Sequence, residues 1–305
     1  MASMQINSMM IATVVLTLAL LQVPTLAQSA PSGPSDKGVK TDSRMLYHTG
    51  PIMSGAADVY VIWYGCWDNN CGNFGDTATQ AIITDFLSSI GGSPYFQINA
   101  MYDNGVGGAP SGGTFYAGGV YDRYSHGFEL TQADIADIVE DQIVSNALPQ
   151  DPSGIWLVIA SADISSNATG FCTPSALPIH GRGMAFGSDT RYAFVGNPRR
   201  CPTVAASQFY SNGVQLPTPN NNLAADAMAS TIAQLLSRIV TNPLGGAWFD
   251  RYGLENASKC VGQFGPTWTT ANGARANMKL NGHDYLIQQN WVMGKKEHCA
   301  MNWSL

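Results

Sequence analysis

Charge is scarce in this chain: 12% of its 305 residues are Asp, Glu, Lys or Arg, and the formal net charge is −6. No run of Lys or Arg is longer than a pair, as at Arg199-Arg200, so the basic stripe that gathers phosphates is missing and nucleic acid is excluded as a partner. Neither a G-x-x-x-x-G-K-S/T loop nor a G-x-G-x-x-G turn can be traced through the glycine-rich stretch Asn104 to Gly119, which leaves nucleotide phosphates without a cradle. There is no G-x-S-x-G elbow for a serine nucleophile and no H-E-x-x-H pair for zinc. Long apolar runs are also rare. The one near the amino terminus, Ile11 to Leu21, is well short of the roughly 20 residues that a membrane span needs.

That short run, the Pro24 break and the small residues ending at Ala27 read as an export signal over residues 1–27. Secretion, extracellular and without a membrane span after cleavage, is the expectation. A Pro-, Ser- and Gly-rich flexible arm over 28–47 should follow, and then one domain over 48–305. An oxidising compartment turns the six cysteines into disulfide candidates. Cys66 and Cys71 are close enough to bridge across a turn. Cys172, Cys201, Cys260 and Cys299 allow three pairings, the most local being Cys172 with Cys201 and Cys260 with Cys299. Asn167, Asn256 and Asn302 head glycosylation sequons.

Hydrophobic residues make up 45% of the chain, enough to bury a sizeable core. "DVYVIWYG", Asp58 to Gly65, is a nearly continuous apolar run that suits a strand buried on both faces. Thr77 to Ile90 carries an apolar helical stripe that Gly91-Gly92 ends. The Gly-rich stretch predicts an irregular loop or hairpin with a short strand at Thr114 to Tyr116. A second helix should be capped by Thr131 with Asp134 at the capping-box position. "GIWLVIASAD" and "RYAFVGN" complete a strand–helix alternation, and short strands and turns should fill the last forty or so residues. The expected fold class is α/β: a mixed, mainly parallel sheet with flanking helices in a single disulfide-bonded domain.

The most regular helix reads "MASTIAQLLSRIV". Met228, Ile232, Leu235 and Ile239 with their neighbouring row form a broad apolar stripe, and Pro243 forces the stop by pushing Asn242 out of the α region. A zinc-binding helix would place ligands where Gln234 and Arg238 stand, with a glutamate base where Leu235 stands. Amide, guanidinium and leucine neither coordinate zinc nor activate its water, so these are degenerate site positions, and no cofactor or metal is expected. Asp163, closing a buried strand, has the place where open α/β sheets put their sites, but a turn aspartate is the favoured reading. His180 and His126 read as loop histidines, and His48 as a backbone partner at the mouth of the first strand. The acidic residues of the second helix read as solvated surface. Trp63, Tyr64 and Trp67 offer an aromatic group that could stack on sugar, Trp67 above all, although the first two belong to a strand.

"HTGPIMSG...VYVIWYG", "SADISSNATGFC", "YAFVGN...CP", "ADAMASTIAQLLSRIVTNPL" and the closing "E...C.G.FG" then "NG.DYL" resemble, in order, the EXORDIUM or phosphate-induced protein family of secreted plant proteins. The similarity runs from about His48 to Cys299. It implies an extracellular or cell-wall protein associated with cell growth and expansion, without an established catalytic activity, and with wall polysaccharide as a partner to consider. Plant members carry further cysteines in the "GFC" and "CP" blocks. The loss of one from each supports a Cys172 to Cys201 bridge, and the Cys66 and Cys71 pair looks like an addition. Distant bacterial sequences similar to the family carry H-E-x-x-E and Thr-Asp-Pro at the place of Gln234, Leu235, Arg238 and Thr241-Asn242-Pro243, which implies a zincin-like scaffold stripped of its ligands. The reading is therefore a non-catalytic wall or growth factor. An extracellular zincin-related hydrolase and a carbohydrate-binding module are the alternatives.

Overall fold

The β-branched run around Val59 becomes the inner strand of a five-stranded sheet. The computed structural model describes residues 44–303 apart from 69, 72–75, 167–168 and 175. A short strand β1 (Met45–Tyr47) pairs antiparallel with Trp248–Asp250, and so occupies the last three residues of the expected flexible arm. The export signal and the rest of that arm lie outside the described residues. Next come β2 (Gly55–Tyr64), α1 (Thr77–Ile90), β3 (Pro110–Asp122), α2 (Gln132–Val144), β4 (Gly154–Ala160), β5 (His180–Ala185) and β6 (Ser188–Val195). A one-turn helix α3 (Pro202–Ala205) and the long helix α4 (Leu223–Thr241) follow. The sheet order is β3-β2-β4-β6-β5, with every pairing parallel except that of edge strand β5 with β6.

Alternation along the strands divides the core in two. Val59, Val61, Trp63, Leu157 and Ile159 face α1 and α4, where Phe86, Leu87, Ile232 and Leu235 meet them. Tyr60, Ile62, Tyr64, Trp156 and Val158 face α2 through Ile135, Ile138 and Val139. Burial on both faces explains why these strands read as unbroken apolar runs. The helix ends follow local chemistry. Thr131 Oγ1 accepts from Asp134 N, and the Asp134 carboxylate accepts from Thr131 N, a complete capping box. Thr131→Ala should lower stability by about 1 kcal/mol in a denaturant titration, and an unchanged midpoint would deny the cap that role.

Two elements depart from expectation. The glycine-rich stretch holds a 13-residue strand, β3, rather than a short one. The edge of β2 supplies backbone partners that do not depend on side chains, and glycine lets other backbone come close: a Cβ on Gly91, at the end of α1, would sit 2.1 Å from Thr114 O. The segment around His180, read as a loop, is strand β5. It turns into β6 through Phe186 and Gly187, both at positive φ (47° and 76°), a geometry that matches the twist of a two-residue hairpin.

The cysteines adopt the most local pairing, Cys66–Cys71, Cys172–Cys201 and Cys260–Cys299, with Cα separations of 5.5, 5.6 and 5.7 Å. Hairpins over the last forty or so residues pack as the composition predicts. Among the sequons, Asn256 is corrected: it is fully buried, and its Nδ2 donates to Asn99 Oδ1 (3.2 Å) and Ser237 O (3.1 Å), so this fold leaves no room for a glycan there. Asn302 is exposed, and Asn167 lies outside the described residues.

Candidate functional site

Helix α4 is buried along nearly its whole length, capped at its start by Asn222, whose Oδ1 accepts from Ala225 N. Leu235 points into the sheet-facing core. On another side of the helix, Arg238 reaches a buried carboxylate that sequence reasoning did not single out, Glu255. Arg238 Nε donates to Glu255 Oε2 at 2.6 Å, and its Nη1 donates to Pro178 O. Asn242, the residue that ends α4, donates from Nδ2 to Glu255 Oε1 (2.7 Å) and accepts from Ala247 N through Oδ1 (2.6 Å). His180, at the start of β5, brings Nε2 within 2.9 and 3.0 Å of the two carboxylate oxygens. Its Nδ1 is buried and has no hydrogen-bond partner among the described residues.

Burial pushes the Glu255 carboxyl up, but the Arg238 charge and the His180 contact outweigh it and hold the carboxyl down at about 2. Three side chains, two from α4 and its C-terminal cap and one from β5, thus surround one carboxylate. That arrangement leaves Glu255 poorly suited as a base or a metal ligand, because its oxygens already accept charge-assisted hydrogen bonds. A cation would have to displace Arg238. The zincin-like scaffold is accordingly not supported: a guanidinium lies where ligand chemistry would be required, Leu235 belongs to the core, and Gln234, one turn before Arg238, is also buried. The sequence signal for Glu255 was its place in the "E...C" block, which carried no chemistry by itself.

The remaining candidates lie elsewhere. Asp163 accepts from Tyr124 Oη (2.6 Å) and from Ser161 Oγ, tying together the carboxyl ends of the sheet. Trp67 is not an exposed sugar platform: it is buried, its Nε1 donates to Tyr64 O and Ile159 O, and its ring meets Trp63 edge-on at 5.0 Å. His126 bonds Asp141 at 3.1 Å, and His48 stacks on Phe249 at 3.6 Å. Among the described residues, the one grouping compact enough to ligate a metal is Cys66, Asp68 and Cys71, and both sulfurs are consumed by their disulfide.

A mixed-sheet α/β protein, braced by three disulfides and holding a carboxylate closed by arginine, histidine and asparagine, is the class that fold and site define. Residues 45–300 match the Phosphate-induced protein 1 conserved region, and the chain belongs to that family. It is 27% identical to Protein EXORDIUM-like 5 of Arabidopsis thaliana over 90% of this chain and 83% of that one. It is 27% identical to Protein EXORDIUM of the same plant over 89% and 92%, and 27% identical to Protein PHOSPHATE-INDUCED 1 of Nicotiana tabacum over 72% of each. No solved structure matches.

Proposed function

We propose that this chain is a secreted, extracellular or cell-wall protein of the EXORDIUM type, associated with cell growth and acting without catalysis. The observation that carries the non-catalytic reading is the Arg238–Glu255 ion pair, which fills the place where an acid, base or metal ligand would have to be free. Export is supported by the leader-like run Ile11 to Leu21 and by three disulfides, bonds that persist outside the reducing cytosol.

The experiment is expression of the tagged full chain in a plant secretory host. The protein should be recovered from the medium or wall fraction with its amino terminus at Gln28 and no reactive thiol. Retention inside the cell would overturn the reading. So would stoichiometric zinc whose removal by chelator abolishes a hydrolytic activity.

A further inference from the structure

We infer that the groove between α1 and β3 is a binding site for a neutral saccharide chain, an inference that rests on the extracellular reading only for where such a ligand is met. The groove is open to solvent, with a volume of about 550 Å³. It lies well apart in sequence from the Glu255 cluster. Its walls come from Gln80, Thr84 and Asp85 on α1 and from Tyr116 and Tyr121 on β3, with Trp63 of β2 at its floor.

Three observations point to a ligand of polyol chemistry. First, the Trp63 side chain is almost completely buried (4% exposed) and lines the groove, and its Nε1 stands beside Gly119 and Tyr116 Oη at the groove's edge. Gly119 keeps this corner open: a Cβ there would lie 2.9 Å from Val61 O, 3.2 Å from Tyr116 Oη and 3.4 Å from Trp63 Nε1. A ligand oxygen reaching past Gly119 would accept from the Trp63 N–H.

Second, Tyr121 is 60% exposed, yet its hydroxyl is held by Gln80, whose Nε2 donates to Tyr121 Oη at 3.1 Å. A fixed, exposed ring offers an apolar face at little entropic cost, which suits the C–H face of a pyranose. Third, the polar groups are neutral or acidic. Tyr116 pairs with Thr84, and Asp85 accepts from Asn281 Nδ2 at 2.5 Å. No Lys or Arg lines the groove. Amide, hydroxyl and carboxylate groups satisfy sugar hydroxyls, whereas a phosphate or uronate would face Asp85 without a counter-charge.

The test is calorimetric titration of the purified full chain with soluble neutral oligosaccharides of glucan, xylan and mannan type, with oligogalacturonate as the charged comparison. At least one neutral oligosaccharide should bind. Tyr121→Ala should weaken it by roughly tenfold or more, the order of effect expected for loss of an aromatic anchor. Ala81→Trp, an exposed position on the same wall, should block the groove without disturbing the core, and Trp268→Ala, exposed outside it, should leave binding intact. Melting curves matching the parent confirm that each variant is folded. Absence of neutral binding at millimolar ligand, binding equal to the parent in folded Tyr121→Ala and Ala81→Trp, or preference for oligogalacturonate would overturn the assignment. Export without saccharide binding counts against the groove alone. Saccharide binding by a chain retained in the cell counts against the wall reading alone.

Discussion

Replacing Lys259 with methionine should cost about 3–5 kcal/mol of folding stability, the usual penalty for removing one partner of a buried ion pair. Lys259 Nζ lies 2.9 Å from Asp250 Oδ2 with both side chains wholly buried, and 4.4 Å above the ring of Trp291. The other oxygen of Asp250 accepts from Tyr252 N (2.8 Å) and Leu254 N (3.0 Å), so the carboxylate cannot swing out to water when the ammonium is lost. Methionine fills much of the volume but removes the ammonium that faces this buried carboxylate. The ring beneath is anchored in turn: Trp291 Nε1 donates to Glu297 Oε2 (2.8 Å), and its carbonyl accepts from Tyr102 Oη (2.6 Å). A denaturant titration should show a lower midpoint with an unchanged slope. Adding Asp250→Asn should recover part of the loss, since asparagine keeps the acceptor for the two backbone N–H groups and removes the charge. A single-variant loss below about 1 kcal/mol would contradict the ion-pair account.

Acid should unfold this protein by way of Glu255. Its folded carboxyl is held at about 2 against an ordinary value of 4.5, so the folded state favours the ionised form. A depressed carboxyl contributes its full stabilisation above the ordinary value and loses it as pH falls through the window from 4.5 to about 2. At 1.36 kcal/mol per unit the contribution is about 3 kcal/mol. Glu255→Gln should be less stable at neutral pH by a similar amount, because Arg238 is left buried without its counter-charge, and should lose less between pH 5 and pH 2 than the parent. Melting temperatures of both proteins across that range provide the check. Parallel curves would show that Glu255 does not drive the acid transition.

Much of the fold was legible because it is specified locally. The apolar stripe and the Gly91-Gly92 stop placed α1 at Thr77–Ile90, where it is found, and the Thr131 hydroxyl set the start of α2. Pro243 set the end of α4 at Thr241 through the conformation it imposes on Asn242. The cysteines paired as locality favoured. The strands that were missed, β3 in its full length and β5, carry little local signal. Glycines dominate one and "HGRGMA" spells the other, and each exists because an inner strand offers it a hydrogen-bonding edge.

The sequence by itself determined the family, through the order of its motifs, and the α/β alternation, the even number of cysteines and the unsuitability of Gln234, Leu235 and Arg238 for holding zinc, through residue type and periodicity within a few turns. Only the tertiary structure decided that His180, Arg238 and Asn242 close on Glu255, that Trp67 is core, and that Gly119 leaves Trp63 open to a groove. Those outcomes depend on which side chains meet across gaps of many residues. Burial and electrostatic pairing are properties of that assembled neighbourhood, not of any stretch read alone.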